Sequence, residues 1–381
     1  MVEAIVKPEL LIWARTSAGY DVQAAAKKIS VKAEKLMEWE SGTKKPTIIQ
    51  LRKIANVYKR PIAVFYLQEP PSKKQVLLQD FRRVPSAKTN LFSPKLIFEI
   101  RKAHFRRQIA VELYESLEGE KPPSIKIKAS PGDNPDVVAT RIREFLGITI
   151  EQQTTFSTDY EALNTWKAAI ENKSVLVFQS SGIEVNEMRG FSISSSHFPV
   201  IVLNSKDSPL ARVFTLLHEL VHLITETEGV CDFHDDKGIE VFCNAVAGSI
   251  LVPYSDFLSN LDAQKAISDS TWSDQEIMNL AGTFRVSRQV LLRRLLSFGY
   301  ISSDKFNIIQ KAYESQAEKS KTKDNNVAIP QHTKAIASSG KLFTQLVLSG
   351  YEAERITGPD VSNYLSVKLK HLSEIESVIR G

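Results

Sequence analysis

The chain has 381 residues, of which 43% are hydrophobic and 24% charged, a composition typical of a globular protein divided into two to four domains. No stretch approaches the roughly 18 uncharged apolar residues of a membrane helix, and the N-terminus lacks the pattern of a secretory signal. We therefore expect a cytoplasmic protein without membrane association. The net charge of +5 is uneven, because residues 1–67 carry twelve Lys or Arg against six Asp or Glu. Attraction to nucleic acid is expected mainly there.

The first 67 residues have the pattern of a small helical domain. Apolar and small residues recur at helical spacing over 10–18, 22–29, 33–39 and 48–58. Several short helices in this length are typical of a helix-turn-helix domain. Trp39-Glu40-Ser41-Gly42, Lys45-Pro46-Thr47, Leu51, Ala55 and Lys59-Arg60-Pro61 resemble the XRE (Cro/C1-type) family.

The XRE resemblance implies that the helix ending at Trp39 and Glu40 enters the major groove of DNA. The candidate DNA contacts are Lys32, Lys35, Lys44 and Lys45. Glu34 lies among them, and its carboxylate can accept from a cytosine amino group but repels phosphates. The alternative is a helical interaction module that never touches DNA.

Residues 68–135 are predicted to form a linker and a long helix over 95–117, which Ser93 and Pro94 begin. The helix carries a basic cluster, which consists of Arg101, Lys102, His104, Arg106 and Arg107. We interpret this cluster as a solvated helix face or a brace between domains, because basic runs of this kind are common on helices.

The sequence His218-Glu219-Leu220-Val221-His222 carries the strongest chemical signal. Ser208 and Pro209 predict the start of a helix that contains it. Histidines at positions i and i+4 lie on the same side of a helix, so that both imidazoles can bind one zinc ion. Glu219 then projects toward a zinc-bound water and can act as general base. The structural alternative is a pair of core-facing histidines.

A catalytic zinc ion needs a third protein ligand. Glu226 lies too far along the helix axis from His218 to share an ion with it. We expect the ligand from a following helix over about 239–251, and Glu240 is our choice. Cys243, and His234 or Asp235 in the preceding loop, are alternatives, as is a closed structural site formed by His218, His222, Cys231 and Cys243. A disulfide between the two cysteines is not expected in a reducing compartment.

These features together resemble the ImmA/IrrE family of zinc metallopeptidases. The matching positions are Trp166, 189–192, 199–204, 212–216, 218–222 and 240–253. The chain departs from the family at Val221, Cys243 and Val246, where Gly, Ala and Phe are usual. The resemblance implies that His218, His222 and Glu240 bind zinc, that Glu219 is the base, and that the substrate is a regulatory protein, commonly a helix-turn-helix repressor. Such cleavage would act in stress response or in control of mobile elements.

The remaining segments complete the predicted architecture. Helices are expected near 137–146 and 160–172, and strands at 175–178 and 198–203. We hypothesise that the strand at 198–203 pairs with an extended substrate. Residues 314–332 are polar and predicted to be flexible. Two helices are expected within 341–379.

A second helix-turn-helix candidate lies at 274–299, and it either binds DNA or packs within the protein. Its basic residues are Arg285, Arg288, Arg293 and Arg294.

The predicted fold is multidomain and mainly α with a small β-sheet, combining a helix-turn-helix domain, an α+β zincin-like peptidase domain and a helical C-terminal region. The predicted boundaries are 1–67, 68–135, 136–260, 261–313 and 333–381. An alternative function is that of a DNA-binding regulator, repressor or antitoxin-like, with an inactive peptidase-like domain. The sequence leaves the oligomeric state open.

Overall fold

The computed structural model describes residues 2–71, 92–225, 237–260, 264, 267, 272–320 and 330–380. The chain divides into two units, Met1–Gln79 with Arg83–Lys102, and Asp80–Arg82 with Ala103–Gly381. The predicted domain 1–67 falls in the first unit. The predicted segments 136–260, 261–313 and 333–381 fall in the second, and 68–135 is divided between the two.

The described part of the first unit is helical at the predicted positions. Its helices are α1 (Pro8–Ser17), α2 (Val22–Ile29), α3 (Ala33–Glu40), α4 (Ile48–Val57), a 3-10 helix (Ile62–Tyr66) and the beginning of α5 (Pro94–Glu118). Side-chain capping explains where two of these helices begin. The Asp21 carboxylate accepts from the backbone N–H of Ala24 ahead of α2, and Thr47 with Gln50 forms a capping box ahead of α4.

Packing in the first unit joins α1 to α3. The Arg15 guanidinium forms two hydrogen bonds to the Glu40 carboxylate, at 2.8 and 3.0 Å. Leu36, Trp39 and Tyr58 are almost completely buried beside this pair. The paired charges and the apolar core therefore fix α3 with its other face exposed.

The second unit is mainly helical around a small sheet. After the end of α5, its described elements are α6 (Pro135–Leu146), α7 (Ile150–Thr154), α8 (Asp159–Glu171), β1 (Leu176–Ser180), β2 (Gly190–Ile193), β3 (Val200–Asn204), α9 (Pro209–Ile224), α10 (Lys237–Leu251), α11 (Tyr254–Ser259), α12 (Asp274–Thr283), α13 (Arg288–Ser297), α14 (Ser303–Ser320), α15 (Gln331–Ser339), α16 (Lys341–Glu352), α17 (Gly358–Leu365), a 3-10 helix (Leu369–His371) and α18 (Leu372–Arg380). The chain is thus mainly α with a three-stranded sheet. None of the described helices is both long and apolar enough to cross a membrane.

The sheet has the strand order β1-β3-β2. β1 pairs with β3 in parallel, and β2 pairs with β3 antiparallel, with Phe191 opposite Val202. Because β3 is paired along both sides, the hypothesis that this strand pairs with a substrate is wrong. The edge strand β2, which the sequence pattern did not predict, lies beside α9 as β3 does.

The helix α9 begins as predicted, because the Ser208 hydroxyl accepts from the Ala211 N–H and Pro209 occupies the first turn. Its apolar residues are buried against β2, β3, α8 and α10, in the same core as Trp166. This packing explains why the helix is hydrophobic on almost all sides.

The second helix-turn-helix candidate corresponds to α12 and α13, and its basic side chains take part in packing. Arg294 is buried and donates to the carbonyl of Val252 and to Asp136. Arg285 donates to the carbonyls of Phe156 and Ser157. The structure thus favours the packing alternative for this segment.

Two C-terminal predictions were wrong. Residues 314–320, predicted to be flexible, belong to α14, while 321–329 lie outside the described residues. The region 341–379, predicted as two helices, contains α16, α17 and α18. Ser366 ends α17 in the left-handed conformation, with φ 55°, a position where glycine is the usual signal.

Candidate metal centre

The two histidines of α9 converge one helical turn apart. The Nε2 atoms of His218 and His222 lie 3.0 Å from each other. His218 is fully buried, and the His222 side chain is 19% exposed. The pair therefore forms the inner wall of a site that opens toward solvent at His222.

The third predicted ligand reaches the same point from α10. Glu240 Oε1 lies 3.2 Å from His222 Nε2, and Glu240 Oε2 lies 3.8 Å from His218 Nε2. One ligand atom from each of the three residues lies within 4.8 Å of the other two. The structure thus brings His218, His222 and Glu240 together, as the sequence analysis expected.

The charged and polar groups around His222 favour a cation at this site. Burial, the largest single effect, lowers the pKa of His222, but hydrogen bonds with Cys243 and Glu240 and the charge of Glu219 outweigh it and raise that pKa to about 11. The neighbouring groups therefore favour positive charge at His222. Because a bound metal ion supplies positive charge in the same place, the site fits a divalent cation.

The chemical types of the three ligand groups indicate which metal fits the site. Two imidazoles and one carboxylate are the protein ligands of many catalytic zinc sites, in which a fourth position remains open. Glu240 is 36% exposed, which is consistent with an open side. The residues present therefore fit zinc in a catalytic rather than a closed arrangement.

The alternative ligands have different positions. The buried Cys243 thiol lies next to His222 but is not part of the three-residue group whose ligand atoms converge. Glu226, Cys231, His234 and Asp235 lie outside the described residues.

Glu219 is held by a residue whose role sequence reasoning missed. Its side chain is 2% exposed, and Oε2 accepts a hydrogen bond of 2.8 Å from the Ser192 hydroxyl on β2. A Cβ atom at Gly190 would come within 2.5 Å of Thr215 and 3.6 Å of Glu219. β2 can therefore approach α9 this closely only with glycine at position 190. The sequence Gly190-Phe191-Ser192 belongs to the stretch 189–192 that carries the family resemblance, but its contact with Glu219 depends on a strand pairing that local pattern does not reveal.

Comparison with protein families supports a metallopeptidase-like domain in this part of the chain. Residues 171–296 match the model of the IrrE N-terminal-like domain, Peptidase_M78. This match supports an ImmA/IrrE-type peptidase. The IrrE-like segment covers about a third of the chain, including β1 to β3, α9 and α10, and does not reach residues 1–67. The search of curated proteins found no match.

The predicted DNA contacts lie in the first unit, outside the IrrE-like segment. Lys32, Lys35, Lys44 and Lys45 are all exposed. Lys35 is at the start of α3 with its Nζ atom 5.7 Å from the centre of the Trp39 ring, and Lys44 Nζ pairs with Glu38 at 2.9 Å. The four ammonium groups thus lie on α3 and the residues flanking it.

The basic cluster of α5 serves packing within each unit. Arg101 donates to the backbone carbonyls of Ser17 and Tyr58 in the first unit. Arg106 is 2% exposed and donates to Ser338 and Ser339 in the second. Neither guanidinium belongs to a solvated helix face.

Proposed function

We propose that the chain is a zinc-dependent endopeptidase that cleaves a regulatory protein, namely a helix-turn-helix repressor, in stress response or mobile-element control. The observation that carries the proposal is the convergence of two imidazoles and the Glu240 carboxylate beside Glu219. The family match at 171–296 supports a metallopeptidase. The choice of a repressor as substrate rests on the ImmA/IrrE resemblance.

The chemistry follows from the protein groups at the site. Zinc bound by His218, His222 and Glu240 would supply Lewis acidity, polarising the scissile carbonyl and lowering the pKa of the attacking water. Glu219 takes the proton of that water and passes it to the leaving amine. The Ser192 hydroxyl keeps the Glu219 carboxylate in one orientation during this transfer.

The decisive test is Glu219→Gln. The variant should retain zinc, since Glu219 is not among the converging ligand atoms, and should lose cleavage by roughly a hundredfold or more. Metal content is measured on the purified protein, and cleavage by mass spectrometry of repressors encoded beside the gene. Unaltered protein that holds no zinc and yields no product would contradict the proposal.

We further propose that the first unit is an XRE-type domain that binds DNA. The exposed lysines around α3 favour DNA binding by this unit. The alternative function also depends on DNA binding, since it makes the protein a regulator with an inactive peptidase-like domain. Substituting Lys32 and Lys35 by Glu should abolish salt-sensitive DNA binding and leave zinc content unchanged. If Glu219→Gln has no effect on any cleavage while DNA binding persists, the regulator is the correct function.

A further inference from the structure

A solvent-open cavity of about 370 Å³ lies within the first unit. Its lining residues come from the turn before α2, from α2, from α4, from Lys59 just after α4, and from the first turns of α5. The lining side chains used below are Tyr20, Lys28, Lys53, Asn56, Lys59 and Phe98. The cavity is wide open to solvent, so a ligand would lie against its surface without being enclosed. No α3 residue lines the cavity, so it is distinct from the proposed DNA surface.

The cavity is strongly basic. Three of its lining residues are lysines with exposed side chains, and none of the described residues that line it is acidic. Three lysines lining one solvent-open cavity favour an anionic ligand.

Aromatic rings form the apolar wall of the cavity. The ring centres of Tyr20 and Phe98 lie 6.4 Å apart with their planes tilted by 54°, and Tyr20 also packs against Tyr58 at 6.1 Å. Only glycine fits this packing at position 19. The backbone of Gly19 has a φ of 74°, and a Cβ atom there would come within 2.6 Å of the Ile97 side chain. The turn is thereby packed against the start of α5, which holds the two rings side by side.

We propose that this cavity binds a small phosphorylated molecule that carries an aromatic ring, as a nucleoside monophosphate does. The lysine ammonium groups pair with the phosphate. The ring lies against Tyr20 or Phe98, and the Asn56 amide offers both a donor and an acceptor to its polar edge. This site is separate in sequence and in chemistry from the metal centre.

The experiment uses the full-length protein and titration calorimetry with three probes, namely AMP, adenosine and inorganic phosphate. AMP should bind at least about tenfold more tightly than either of the others, because it alone combines ring and phosphate, and its affinity should fall as salt rises. Equal affinity for AMP and inorganic phosphate would overturn the proposal, because the rings would then contribute nothing.

Two matched double variants distinguish binding in the cavity from general attraction by the surrounding surface charge. Lys28→Glu with Lys53→Glu should raise the Kd for AMP about tenfold or more. Lys27→Glu with Arg52→Glu makes the same charge change one residue away on the same two helices, at exposed side chains that do not line the cavity. This control should bind AMP nearly as well as the unaltered protein. An equal loss in both pairs means that only a diffuse field attracts anions, and the proposal fails.

The ring contact has its own test. Tyr20→Leu keeps an apolar side chain in the wall, so AMP affinity should fall while phosphate affinity stays unchanged. Thermal unfolding of the variant verifies that its fold is retained. If Lys28 and Lys53 affect the binding of duplex DNA but not of AMP, the surface is a DNA contact and the proposal is wrong.

Discussion

The Ser192 hydroxyl on β2 donates a hydrogen bond of 2.8 Å to Glu219 Oε2 on α9. Both side chains are 2% exposed, so water cannot easily replace this bond if it is lost. The hydrogen bond connects the edge strand to the proposed general base and limits the directions in which the carboxylate can point. The sheet thus contributes directly to the metal centre, although all three proposed ligands come from helices.

The first prediction concerns Ser192→Ala. A hydrogen bond to a charged group contributes roughly 1.5–3 kcal/mol, so cleavage should slow by about tenfold to a hundredfold while zinc content stays unchanged. The measurement compares cleavage rates at equal zinc loading. Ser196→Ala, at an exposed position just beyond β2, is the control and should retain the full rate. A normal rate in Ser192→Ala would show that Glu219 is positioned without this bond.

The second prediction concerns Gly190→Ala. The added methyl group would come within 2.5 Å of the Thr215 side chain and 3.1 Å of the Val202 carbonyl oxygen. Separating β2 from α9 to relieve this overlap should cost about 1–3 kcal/mol of unfolding free energy, measured by urea denaturation. In Gly182→Ala the new Cβ would have no neighbour within 4 Å, so its stability should hardly change. Equal stability in the two variants would contradict the close approach.

Signals contained in a few neighbouring residues made much of the helical fold predictable. Ser208 with Pro209, and Thr47 with Gln50, are caps that mark helix starts. The spacing of His218 and His222 also gives their common face directly, because helix geometry alone determines it. For elements predicted from such local rules, the ends in the structure lie within one or two residues of the predicted ends.

The features that were not predicted depend on partners far along the chain. β2 has only four residues, all buried, so it lacks the alternation that marks a half-exposed strand. The sequence pattern places Arg294 on a basic surface. Its burial depends on distant partners, Asp136 and the Val252 carbonyl, which local pattern does not reveal. The extra C-terminal helix was missed because Ser366, and no glycine, adopts the left-handed conformation that ends α17.

The third prediction distinguishes Glu240 from Cys243 as the zinc ligand. Glu240→Ala should weaken zinc binding by more than about a hundredfold, because loss of an outer hydrogen-bond partner alone costs 10–100-fold. Cys243→Ala should retain zinc with a smaller loss, since its sulfur is outside the converging group. Competition with a chromogenic chelator measures both affinities. The opposite ranking would transfer the ligand role to Cys243.

The fourth prediction concerns the surface cluster of His332, His371 and Glu374. Glu374 Oε2 lies 2.9 Å from Nδ1 of His332 on α15 and 3.1 Å from Nδ1 of His371, so the carboxylate links α15 to the start of α18. The hydrogen bond from His332, followed by that from His371, lowers the pKa of Glu374 below its ordinary value of 4.5.

A carboxyl group whose pKa is lower in the folded than in the unfolded state stabilises the fold above the unfolded pKa, and this contribution is lost as pH falls through the folded pKa. Glu374→Gln should therefore lower the thermal midpoint at pH 7, and the difference from unaltered protein should shrink as pH drops below 4.5. Because Glu374 is exposed, the effect should be small and should weaken in high salt. Glu376→Gln removes a nearby charge on the same helix without touching this cluster, and it should show no such dependence. A constant difference across pH would mean that the two imidazoles do not favour the ionised carboxylate.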